Sequence, residues 1–249
     1  LVSNGDFSQE GSELITNGDF ATDADWLLEN GAVINNGSVN LLGNNSKFRQ
    51  TPLISGKSYK LVYEVISTDG GSFRFQDGVT AFIDVPQTIG IHTYYFKSTG
   101  DRVQFQATSA IDARIDNVSV KEVGQDWNLG TGWSIGEDKV TSDGSVAGND
   151  YTVGTESTLI IGKTYKVEYT VLDYIQGNTR VRAGGGSSNF VTANGIYIDY
   201  MVAVSTENVR VQAQNNFIGS ITNISITEIT EDTNLPRIDY SPYSGAGSC

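Results

Sequence analysis

Shifted by 106 or 107 residues, the chain lies over itself in order from end to end. GKSYKLVYEV, Gly56 to Val65, falls on GKTYKVEYTV, Gly162 to Val171, and IDNVSVKEV, Ile115 to Val123, falls on ITNISITEI, Ile221 to Ile229. Asp19-Phe20 falls on Asp126-Trp127, Trp26 on Trp133, and Gly37-Ser38-Val39 on Gly144-Ser145-Val146. Chance similarity does not keep such an order, so the chain must form one fold twice over. The repeat predicts a first domain over residues 13–123 and a second over 124–230. Residues 1–12 then read as a linker or the remnant of an upstream unit, and 231–249 as a tail or a linker to a further domain. The phrase Asn-Gly-Asp-Phe stands at both Asn4–Phe7 and Asn17–Phe20; the second copy opens the first repeat, and the first copy marks the end of the expected linker or upstream remnant.

Within each repeat the apolar period is two. Tyr59, Leu61, Tyr63 and Val65 share one face of a strand, and in the closing strand Asp116, Val118 and Val120 alternate with Ile115, Asn117 and Ser119. Turn pairs such as Asp69-Gly70, Asp77-Gly78 and Asn194-Gly195 punctuate the strands, and no amphipathic helix is evident. Short strands and frequent turns point to an all-β chain of antiparallel two-sheet sandwiches. A hydrophobic fraction of 38% suffices for a core in each, which argues against a disordered chain despite its 28 glycines.

With 16 basic residues against 29 acids, the net charge is -13 and no basic run interrupts it, so nucleic acid is excluded as a partner. No apolar run reaches the ~20 residues a membrane helix needs, which argues against membrane insertion. The single cysteine, Cys249, cannot form an internal disulfide.

Catalysis finds little support. Gly56-Lys57-Ser58 and Gly162-Lys163-Thr164 look like the end of a phosphate-binding loop, but the earlier glycine is Thr51 or Ser157 and a strand follows. His92 is the only histidine, so neither a Ser-His-Asp nor a Cys-His arrangement assembles. The chain reads as a non-enzyme.

The Asn-Gly-Asp-Phe opening, the Trp after it, the GKSYK/GKTYK strand and the IDNVSV strand together resemble the jelly-roll carbohydrate-binding modules of bacterial glycan-degrading enzymes, which also occur in bacteriophage tail and fibre proteins. The likeness implies two tandem homologous antiparallel jelly-roll β-sandwich domains. Asn234 to Tyr240, followed by Cys249, resembles a junction found in phage and bacterial surface proteins. The resemblance implies a virion-surface or extracellular location, with bacterial or plant glycans, other virion or fibre subunits and further copies of the chain as partners.

In such a module sugar is held by aromatic platforms and planar polar side chains. Arg74 and Gln76 share a strand face, as do Arg102, Gln104 and Gln106; Arg180 and Arg182 pair likewise, followed by Arg210, Gln212 and Gln214. The candidate carbohydrate-binding residues are Arg74, Gln76, Gln104, Gln106, Arg180, Arg182, Gln212 and Gln214. A solvated outer face and a contact between fibre subunits stay open beside that reading. The resemblance also implies a structural calcium ion (Ca2+) near the first and closing strands, with Asp19 and Asp116 as its candidates; in the second repeat Asp126 remains but Thr222 stands in place of Asp116. Two other functions fit the same pattern: a purely structural fibre or coat spacer, and the accessory binding module of a secreted glycoside hydrolase.

Overall fold

The computed structural model describes residues 1–78, 82–145, 149–154 and 159–230. The tail from Asn234 to Cys249 and the landmarks Val146 and Ser157 lie outside them. Every regular element among the described residues is a strand, and every strand pairing is antiparallel.

The first part of the chain forms β1 (Glu10–Glu13), β2 (Leu27–Glu29), β3 (Val33–Ile34), β4 (Val39–Leu42), β5 (Lys47–Gln50), β6 (Ser58–Gly70), β7 (Phe73–Gln76), β8 (Gly90–Lys97), β9 (Val103–Ala107) and β10 (Ile111–Val123). One sheet runs β3-β4-β10-β6-β8 with β1 added on β10, and a shorter sheet runs β2-β5-β9-β7. Their inner faces meet over Tyr59, Leu61, Tyr63 and Val65 of β6 and Phe48, Phe73, Phe75 and Phe105 of the short sheet, all at most 1% exposed. Period two therefore holds in β6. In β10 it breaks: a bulge between Asp116 and Ser119, with Asn117 at φ 51°, puts both Ile115 and Val118 into the core.

The second part forms β11 (Trp127–Asn128), β12 (Trp133–Gly136), β13 (Lys139–Asp143), β14 (Asp150–Gly154), β15 (Thr164–Ala183), β16 (Gly186–Ser187), β17 (Gly195–Val202) and β18 (Arg210–Glu228). Here two long strands pass through both layers. The first half of β15 pairs with β17 and its last residues with β16, while β18 meets β14 at one end and β13 further along. The β15–β18 register slips between Leu172 and Asn178, where the sheet turns its corner.

Residues 1–7 are not a linker, because the cores divide the chain differently. Phe7 joins the second hydrophobic cluster with Trp127, Val167, Phe217 and Ile224, whereas Phe20 and Trp26 belong to the first. The two Asn-Gly-Asp-Phe copies are the same clip. Asn4 and Asn17 have φ 48° and 49°, Phe7 and Phe20 have φ 58° and 47°, and in each copy the Phe amide donates to the Asn carbonyl at 3.2 Å. The Ile224 amide donates to the Gly5 carbonyl at 2.8 Å, and the Val118 amide to that of Gly18 at 2.9 Å. Trp26 donates from its indole to the Asn17 carbonyl and Trp127 to that of Asn4. Trp127, not Trp133, is therefore the counterpart of Trp26, and Asp6, not Asp126, is that of Asp19.

The two sandwiches also touch side by side. The ring of Tyr95 on β8 lies over Gly136 of β12, where an added Cβ would fall 2.7 Å from it.

Candidate functional site

The outward face of the first short sheet is set by register. With the phenylalanines turned inward, the alternate positions of neighbouring strands form two polar rows, Glu29–Lys47–Gln106–Arg74 and Leu27–Arg49–Gln104–Gln76. All four candidates of the first repeat lie on this face. Gln104 donates from Nε2 to Gln76 Oε1 at 2.6 Å and to Gln106 Oε1 at 3.0 Å, and Gln106 donates to Asn45 at 3.4 Å. Gln104 and Gln76 are sunk among their neighbours at 2% and 4% exposure, and Gln104 Oε1 is buried with no hydrogen-bond partner. The cations here are matched: Lys47 and Arg49 pair with Glu29 at 3.1 and 3.2 Å, and Arg74 with Asp84 at 2.7 Å.

In the second sandwich the corresponding rows are Tyr151–Gln212–Arg180, Arg210–Arg182 and Gln214–Asn178. Gln212, 2% exposed, accepts from Arg180 Nε at 2.8 Å and donates to Asn149 Oδ1 at 2.8 Å. Arg182 donates to Ser187 Oγ at 3.0 Å and to the Tyr151 hydroxyl at 3.4 Å. Phe190 stacks under Arg180 at 4.1 Å, and the Tyr151 ring lies 5.9 and 5.8 Å from the guanidinium groups of Arg182 and Arg210. Burial, and then the neighbouring Arg182, lower the Arg180 pKa below its ordinary value.

The two faces are equivalent in position and different in chemistry. Gln104 and Gln212 hold the same central place, but Gln76 of the first face is matched by Arg180, so the Arg-Gln pattern does not superpose as the repeat suggests. Lys47, Arg49, Tyr151 and Phe190 join the faces without having been singled out by the repeat. Of the aromatic residues, Trp26 and Trp133 are core, Tyr94, Tyr174 and Tyr197 pack against the cores, and Tyr200 is exposed.

Asp19 and Asp116 come near one another beside Glu64. Asp116 stands opposite Glu64 across β10 and β6, and burial followed by the charges of Glu64 and Asp19 hold its carboxyl above the usual range. Asp19 Oδ1 accepts from the Ala21 amide at 3.3 Å, and Asp116 Oδ1 from that of Asn117 at 2.7 Å. Among the described residues no group of three or more acidic, histidine or cysteine side chains is placed to hold a metal ion. In the second sandwich Thr222 donates to the carbonyls of Asp6 and Asp138 instead.

No protein-family model and no curated protein matches the chain. Solved structures do. The tandem of two CBM22 domains at the N-terminus of Paenibacillus barcinonensis Xyn10C aligns at 11% identity and a TM-score of 0.37, over 89% of this chain and 99% of that one. A truncated AlyQ with CBM32 and alginate lyase domains aligns at 10% identity and a TM-score of 0.28, over 83% and 98%. The secreted serine protease VesC of Vibrio cholerae aligns at 11% and 0.30, over 70% and 48%. Likeness at this level says nothing of ligand; the sandwich architecture is read from the strands themselves.

Proposed function

We propose that the chain is a non-catalytic glycan-binding unit that works outside the cell, with one site on the outward face of the first sandwich's short sheet and one on the equivalent face of β14, β18 and β15. The observation that carries this reading is the buried, mutually bonded glutamine at the centre of each face, Gln104 and Gln212, which holds planar hydrogen-bonding groups in register across adjacent strands. Such groups are fixed before ligand arrives, so less side-chain freedom is lost when sugar hydroxyls bind. Each site alone is weak, and two on one chain raise the effective affinity for a polymer.

The test is a binding screen of the purified chain against bacterial capsular, cell-wall and plant polysaccharides, with calcium and with chelator. Binding that falls at least about tenfold in the Arg74→Ala, Arg180→Ala double variant supports the reading. Silence across the array, or binding untouched by the double variant, defeats it.

A structural role as a fibre or coat spacer is favoured by one observation. Ile196, Ile198, Tyr200 and Val202 form an apolar stripe on the outward face of β17, which among the described residues pairs with β15 alone, and they are 49–69% exposed. Sedimentation of an oligomer that Ile198→Asp dissociates would favour this role over the glycan reading.

A further inference from the structure

The two faces differ in charge, and the difference points to ligand class. On the first face Lys47, Arg49 and Arg74 each have a carboxylate within 3.2 Å, and Arg102 has that of Asp101 at 3.9 Å. On the second, Arg180 and Arg182 pair with no carboxylate among the described residues, and Arg210 meets Glu207 at 3.6 Å. In a chain of net charge -13, acids to neutralise them are plentiful, so three guanidinium groups gathered with one carboxylate among the described residues are not a product of composition. Gathering like charges costs free energy. Their geometry is also prepared. Arg180 uses Nε on Gln212, Arg182 uses Nε on Ser187, and Phe190 and Tyr151 brace the guanidinium planes. The terminal nitrogens of Arg180 make no hydrogen bond within the described residues, and Arg210 Nε is buried without a partner. A guanidinium held by its Nε and stacked on a ring offers its remaining edge to a bidentate oxyanion.

We infer that the second face takes an anionic glycan, one whose sugars carry carboxylate or sulfate groups, with Arg180 and Arg182 as the groups that contact the anion. The inference rests on the reading of these two faces as glycan sites. The first face, with its cations already paired, does not discriminate by charge.

The experiment uses the full chain and four polymers: polygalacturonate, its carboxyl-reduced counterpart, a sulfated galactan and duplex DNA. Affinity electrophoresis and calorimetry should show at least about tenfold tighter binding to one of the acidic glycans than to the neutral one, weakening as salt rises from about 50 to 300 mM. Preference for polygalacturonate marks carboxylate as the group read, and preference for the galactan marks sulfate. Arg180→Gln and Arg182→Gln should each abolish the preference with melting unchanged, Arg74→Gln should leave it, and Arg180→Lys should restore part of it. If a variant fails to fold, the salt dependence of the unaltered chain still decides. Equal binding of the neutral and acidic glycans overturns the inference and leaves the glycan reading standing. Equal binding of DNA overturns it as unspecific attraction of polyanions, and no binding to any glycan overturns both.

Discussion

The indole nitrogen of Trp127 donates to the carbonyl oxygen of Asn4 at 3.0 Å, joining residues 123 positions apart. The chain therefore crosses between the two sandwiches twice, once near Ser8 and once at Gly124, and Leu1 is tied down by a bond from its backbone nitrogen to the Ile226 carbonyl at 3.0 Å. A Cβ on Gly5 would fall 2.0 Å from the Ile224 oxygen, and one on Gly18 2.0 Å from the Val118 oxygen. Backbone cannot yield to that overlap without losing the clip, so Gly5→Ala and Gly18→Ala should each cost about 2–4 kcal/mol. Hydrogen exchange should separate them: Gly5→Ala speeds exchange along β18, Gly18→Ala along β10, and deletion of residues 1–9 reproduces the first. Equal acceleration in both sandwiches from either variant would show one cooperative unit instead.

The clip also shows where sequence reading stops. The strands β6 and β15 are legible because Tyr59, Leu61, Tyr63 and Val65 alternate without interruption, and the same-face grouping of Arg74 with Gln76 follows from the same period. The bulge at Asn117 is not legible, since a single positive φ resets the phase with no compositional mark. Pairing Trp26 with Trp133 fails because a collinear comparison has no place for a segment that precedes the first repeat and packs in the second. Which rows lie opposite one another depends on strand order, and so Tyr151 beside Gln212 and Phe190 beneath Arg180 emerge only in three dimensions.

Buried tyrosines make the fold sensitive to alkali. Burial pushes the Tyr169 hydroxyl up to about 12, and raises Tyr63, whose hydroxyl donates to the Pro86 carbonyl. A group whose folded pKa lies above its unfolded value contributes fully below the unfolded value, near 10, and its contribution is lost as pH rises through the folded one. Stability should hold to about pH 10 and then fall, with Tyr169 accounting for about 2–3 kcal/mol by pH 12. Tyr169→Phe should lose about 1 kcal/mol at pH 8, where its contact with Ser188 at 3.2 Å is missing, and show a shallower alkaline decline in urea titrations.

Asp116 and Glu10 should respond to acid in opposite directions. Hydrogen bonds from Lys60 and then Lys121 hold Glu10 below its ordinary range, so its contribution is present at neutral pH and lost as pH falls through the folded value. Asp116 is raised, chiefly by burial, so its charged form destabilises the fold at neutral pH and protonation relieves it. Asp116→Asn keeps an oxygen for the Asn117 amide and should raise Tm at pH 7 by about 1–3 °C, with the gain vanishing once the wild-type carboxyl is protonated. Glu10→Gln should lower Tm at pH 7 and make no difference in acid. A calcium-dependent rise in Tm that Asp116→Asn removes would show that other oxygens complete a metal site there.

The contact between the sandwiches can be weighed through Gly136 and Tyr95. Gly136 has a backbone any residue can adopt, so only the Tyr95 side chain, its Cγ 2.7 Å and its Cβ 2.8 Å from the missing Cβ, resists a side chain. Gly136→Ala should cost about 1–2 kcal/mol by forcing the ring or the neighbouring sandwich to shift. Tyr95→Gly removes the whole obstacle, Cβ included, so adding Gly136→Ala to it should cost less than about 0.5 kcal/mol. That difference between the two backgrounds, read from denaturant midpoints at constant m, measures the packing of one sandwich on the other. If Gly136→Ala costs the same with and without the Tyr95 side chain, Tyr95 does not couple the sandwiches.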